Sequence, residues 1–147
     1  MMNAADEEMK ASNAFEGCDP MLIDFNLNQE LTDQIEDAAK AQALVTKIEL
    51  AREKNLADSI RDWGNVYDYT YALTEAYLTY QLGRCLMRMK KYPEAISTLK
   101  EATEMAKQLN YKKFSFACYN SLAFCLDDSG NRTEGAIARQ QAKHFQE

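Results

Sequence analysis

Proline and glycine are scarce in this sequence, with two Pro and five Gly in 147 residues. A multi-stranded sheet needs turn signals about every 8–12 residues, which the chain does not supply, so helix is the expected state. No run of about 18 apolar residues is present to form a membrane-spanning helix. The opening Met1-Met2-Asn3-Ala4-Ala5-Asp6-Glu7-Glu8 is acidic where a secretory leader is basic, which points to a cytoplasmic protein. Histidine is nearly missing as well. His144 stands alone, with no Cys or carboxylate at ligand spacing, so no metal site is expected. Asp127, Ser129 and Asn131 imitate the start of a calcium loop, but Arg132 replaces its Gly and Ala138 its closing Glu. There is no Gly-rich phosphate loop, and no thiol has a base beside it in sequence, so neither a cofactor nor enzymatic chemistry is expected.

Four cysteines are present. Cys85 and Cys125 hold equivalent places on helices expected to pack with axes about 8–10 Å apart, whereas a disulfide needs Cα atoms within about 7 Å. Reduced, buried thiols follow, and the sequon Asn131-Arg132-Thr133 is then a chance match. The net charge of −6 is unevenly spread. Residues 1–60 carry 13 acids against 5 bases, and residues 61–147 carry 10 against 12. Arg84, Arg88, Lys90 and Lys91 form one basic corner with no second patch, too little for a nucleic-acid footprint.

What the chain does have is an approximate repeat of forty residues. Leu82-Gly83-Arg84-Cys85-Leu86 aligns with Leu122-Ala123-Phe124-Cys125-Leu126, and further on Glu94, Ala95 and Ala102 align with Glu134, Gly135 and Ala142. A fixed period of this length predicts stacked helical hairpins, each of which relies on its neighbours to complete a core. Residues 1–27 lack helical periodicity and are expected to be extended or disordered, although residues 21–27 gather several large apolar side chains there. Residues 28–55 read as one amphipathic helix on Leu31, Ile35, Ala38, Ala41, Val45 and Ile48. The next helix is expected over 65–90, with a possible extension back through Trp63, and it is apolar on most sides. Further helices are expected over 93–109, 114–127 and 133–145, with Pro93 in a first helical turn and 128–131 as a helix-ending loop. In domain terms, 28–147 forms the helical unit: a degenerate hairpin over about 28–75, then repeats over about 76–110 and 116–146.

The pattern resembles the tetratricopeptide repeat, in the forty-residue form of Leu-Gly-Asn and rapsyn-like scaffold proteins. The resemblance rests on Thr79, Leu82, Gly83 and Leu86 in one first helix and Tyr119, Leu122, Ala123 and Leu126 in the next. The small residues Ala95 and Ala102, then Gly135 and Ala142, fill the family's places in the second helices. It implies an all-α, right-handed stack of antiparallel hairpins, in which Gly83 and its equivalents allow close helix contact. Three residues depart from the pattern: Thr79 where an aromatic is usual, Lys90 where the turn is usually Gly, and Arg139 where a bulky residue is usual.

The resemblance also implies a concave groove lined by first helices. Its candidate contacts are Tyr77, Tyr80, Arg84, Met87 and Arg88, then Asn120, Phe124 and Asp127. Tyr and Arg are frequent binding hot spots. With no Lys among these positions, a clamp for C-terminal carboxylates is not expected. The resulting expectation is a protein or peptide adaptor that binds a partner's peptide or helix, with self-association or a larger assembly covering the open ends of the stack. The alternative is a peptide-sensing regulator or secretion-type chaperone whose N-terminal segment occupies its own groove as a switch.

Overall fold

The computed structural model describes residues 25–32, 35, 37–61 and 68–145, and these fold into six helices with no strand among them. In chain order they are α1 (Phe25–Thr32), α2 (Ala38–Arg61), α3 (Asp68–Arg88), α4 (Tyr92–Gln108), α5 (Lys112–Asp128) and α6 (Arg132–Lys143). From α2 onward each helix packs chiefly on its neighbours in sequence. None of the described helices is long and apolar enough to cross a membrane.

The helix expected over 28–55 is two helices, and the break has a local cause. Asp37 accepts the backbone N–H of Lys40 at 2.8 Å through Oδ1, and its carbonyl accepts the N–H of Ala41. That is an N-cap, which satisfies donors that a helix start leaves open. α1 already begins at Phe25, inside the segment expected to be extended, and α2 runs on past Asn55 to Arg61. The rest of the expected tail, 1–24, lies outside the described residues, as do 62–67 with Trp63.

Three joints connect α3 to α6, and all three have the same construction. Lys90, Asn110 and Gly130 stand at positive φ (61°, 57° and 92°), twenty residues apart. After them the N–H groups of Lys91, Tyr111 and Asn131 reach back to the carbonyls of Leu86, Ala106 and Leu126. The positive-φ residues bond in turn to Met87, Lys107 and Asp127. Each joint is therefore a Schellman motif, which uses a left-handed residue to close the last helical carbonyls and turn the chain. One joint geometry repeated three times gives successive antiparallel helices.

Small residues set the spacing between these helices. A Cβ placed on Gly83 would lie 2.6 Å from Leu99 Cδ2 and 2.7 Å from its Cγ. In the next hairpin, a Cβ on Gly135 would strike the Asp127 carboxylate and come within 3.2 Å of the Ala123 carbonyl. Leu82, Ala95, Ala102, Leu122, Ala123, Leu126 and Ala142 are buried, as is Gly83, and Leu86 is partly buried. The core they help to form is continuous from Leu27, Leu31 and Ile35 at one end to Ala138 at the other.

The departures at Thr79 and Arg139 have structural explanations. Thr79 is fully buried, and its hydroxyl donates to the Glu75 carbonyl at 2.7 Å, so the polar group is satisfied within its own helix. Arg139 forms an ion pair with Asp127. Forty residues earlier the corresponding places hold Leu99 and Met87, both buried, so the last hairpin substitutes a charged, half-exposed pair for an apolar one.

Candidate functional site

The resemblance assigns the partner-binding face to α3 and α5, the first helices of the two hairpins. They meet at Tyr80. Its hydroxyl lies 3.1 Å from Ser121 Oγ, and its ring stands edge-on to Phe114 with centroids 5.9 Å apart. Phe114 also meets Tyr111 edge-on at 6.4 Å. Such pairs add to the area they bury, so Tyr80 ties one hairpin to the next.

The structure divides the expected groove residues into two groups. Tyr77, Tyr80, Arg84 and Met87 are buried, none more than 5% exposed. The expectation of an open groove fails at these four, because α3 is the central helix and is covered on most sides. Arg84 donates to Gln81 Oε1 at 2.6 Å, and its guanidinium carbon lies 5.8 Å from the Tyr80 ring centroid. A buried cation is tolerated only with such partners. Burial also raises the Tyr77 phenol above its ordinary pKa, against a smaller opposing effect from Gln81 and Arg84. Tyr77, Gln81 and Arg84 thus form a buried polar line along α3.

The second group is partly exposed: Arg88 at the end of α3, and Asn120, Phe124 and Asp127 on α5. Phe124 packs on the core from its edge, and Asp127 is engaged by Arg139. Of the expected groove residues, Arg88, Asn120 and Phe124 are thus more accessible than the tyrosines. Nearby, Tyr119 stacks on Phe145 with centroids 5.7 Å apart, which covers the outer part of α5.

Among the described residues, Cys85, Cys118 and Cys125 are buried, and Cys118 and Cys125 are free thiols. Burial raises the Cys118 thiol well above its ordinary value, and burial together with the Asp128 carboxylate lifts Cys125 to about 11. Neutral thiols are poor nucleophiles. No group of three His, Cys, Asp or Glu side chains is placed to hold a metal ion among the described residues.

A second concavity was not anticipated from the sequence. α2 and α3 line an open cavity of about 770 Å³, with Asn55 and Tyr71 buried in its lining and Leu56, Ile60, Glu49 and Glu53 exposed around it. Beside it Arg52 binds Glu75 Oε1 through Nε at 2.9 Å and Nη2 at 2.7 Å, linking the two helices. Asn55 donates through Nδ2 to the Tyr71 carbonyl at 3.0 Å, while its Oδ1 is buried without a hydrogen-bond partner among the described residues. The available sequence signal was Leu56 and Ile60, one helical turn apart and continuing α2 beyond its expected end. Comparison with known proteins gives no matching family model, no matching curated protein and no matching solved structure.

Proposed function

We propose that this chain is a non-enzymatic adaptor of the tetratricopeptide-repeat type, holding a peptide or helix of another protein along the edge of α3 and α5. The observation that carries this reading is the threefold repetition of one helix joint at twenty-residue spacing, with packing mainly between sequence neighbours. An array built this way spends its side chains on positioning helices and presents an extended surface, the usual basis of partner binding in repeat proteins. Self-association or a larger assembly would cover the ends of the array.

The test is affinity capture from the source cell with wild type beside Arg88→Ala/Asn120→Ala. These two residues are partly exposed, so their truncation should spare the fold, whereas Arg84→Ala or Tyr80→Ala would damage the core. A partner that disappears from the double variant alone, at unchanged helix content, supports the reading. Identical partners in both samples reject it.

A second reading makes the N-terminal segment a regulator of the same face. Leu27, the described end of that segment, is buried in one core with Tyr77 and Tyr80. Deleting residues 1–24 spares α1 and should tighten partner binding. Unchanged or weaker affinity would reject self-occlusion.

A further inference from the structure

The cavity between α2 and α3 is independent of the α3 and α5 edge, and its chemistry is one-sided. Leu56 and Ile60 are 60% and 66% exposed, so two large apolar side chains stand side by side in water at its rim. Such patches mark contact surfaces. The charges around them are acidic. Arg52 is already held by Glu75, whereas Glu49 and Glu53 have no ion-pair partner among the described residues. The third feature is Asn55, which is 5% exposed. Its Oδ1 is closed off from water and accepts nothing among the described residues, a costly state for a buried carbonyl oxygen. A ligand's donor reaches it where α2 and α3 part locally.

Each polar feature requires the same kind of ligand. Two carboxylates and an amide oxygen are all acceptors, so the occupant must bring N–H donors and positive charge. The rim requires apolar side chains beside them. A second copy using this same face would bring Glu49 and Glu53 against their own like charges, which disfavours it.

We propose that the α2–α3 cavity docks a basic, apolar segment of a partner polypeptide, with a Lys or Arg side chain on Glu49 and Glu53 and an apolar side chain on Leu56 and Ile60. By parting α2 and α3 locally, the segment brings one of its N–H groups to Asn55 Oδ1, which lacks a donor. The segment is extended there or enters by a side chain, because the backbone N–H groups of a helix interior are already used.

The experiment pans a phage-displayed random dodecapeptide library on the full chain, then measures the selected synthetic peptides by calorimetry. The expected result is enrichment of peptides that combine Lys or Arg with large apolar residues. Their affinity should fall about tenfold in Glu49→Gln/Glu53→Gln, from two screened charge contacts. It should fall at least as far in Leu56→Ser/Ile60→Ser. Glu101→Gln/Glu134→Gln, which removes two exposed acids elsewhere, should leave it unchanged and so exclude bulk charge. Acidic or uncharged consensus peptides, no enrichment, or selected peptides indifferent to the cavity variants would each overturn the proposal. Concentration-dependent dimerisation abolished by Leu56→Ser/Ile60→Ser would also overturn it, assigning the cavity to a second copy.

Discussion

Adding one methyl group at position 83 tests the packing of α3 on α4 directly. An alanine Cβ there falls 2.6 Å from Leu99 Cδ2 and 2.7 Å from Cγ, against an optimum of about 3.5–4.0 Å between carbons. Leu99 is fully buried and cannot simply swing into solvent. Overpacking of this kind costs about 1–3 kcal/mol, while replacing Gly by Ala within a helix returns about 1 kcal/mol. Gly83→Ala should therefore destabilise the wild-type chain by about 0–2 kcal/mol. Leu99→Ala alone should cost about 2–5 kcal/mol through the cavity it leaves. In that background the obstructing side chain is gone. The new methyl then partly fills the space, and Gly83→Ala should stabilise by about 1 kcal/mol. The two changes couple by about 1–3 kcal/mol, measurable by urea unfolding of the four proteins at constant m-value. If Gly83→Ala stabilises both backgrounds equally, position 83 is not pressed against Leu99 and the packing argument fails.

Other consequences can be measured separately. At the joints, Lys90→Gly and Asn110→Gly should each stabilise by about 0.5–1 kcal/mol and Gly130→Ala should destabilise by about 1 kcal/mol, since only Gly adopts positive φ without penalty; thermal melts that rank them otherwise would contradict the shared joint. Removing the half-exposed Asp127 to Arg139 pair with Arg139→Ala should cost about 0.2–1 kcal/mol, less at high salt. A larger, salt-independent loss on chemical denaturation would show that Arg139 acts by packing. Cys118 and Cys125 should resist iodoacetamide at pH 8 in the native chain and react once it is unfolded, as read by mass spectrometry. Because folding raises the Cys125 pKa from 9.0 to about 11, its contribution to stability is intact below about pH 9 and should be lost as pH rises through about 11. Stability that climbs over this range would contradict the buried thiol.

The spacing of small residues made the hairpins legible. Gly83 with Ala123, and Ala95 with Gly135, report where backbones approach, and that requirement is local enough to leave a forty-residue signature. The joints were less visible because Gly130 carries the usual sign of a left-handed residue, Asn110 a weaker one and Lys90 none. Lys90, which has no intrinsic preference for that region, adopts the same geometry to close the same turn. The break before α2 depended on Asp37, whose capping role was masked by apolar periodicity running across it. Burial of Tyr77, Tyr80 and Arg84 was harder to read. The apolar character of α3 on most sides implied neighbours on most sides, yet helix position alone does not say which face remains open. The α2–α3 cavity left only the Leu56 and Ile60 pair as a trace, since its lining comes from two helices whose relative placement only tertiary structure fixes.

The central claim is that consecutive helices stack in sequence order and that α3 meets α5 at Tyr80, which contacts both Phe114 and Ser121. Nuclear Overhauser contacts in the aromatic region test it most directly. The account predicts strong contacts between the Tyr80 and Phe114 rings, 5.9 Å apart between centroids, in a chain whose α2 packs chiefly on α3. Absence of the Tyr80 to Phe114 contacts, or their replacement by contacts joining α2 to α6, would contradict the linear array on which both proposed binding surfaces depend.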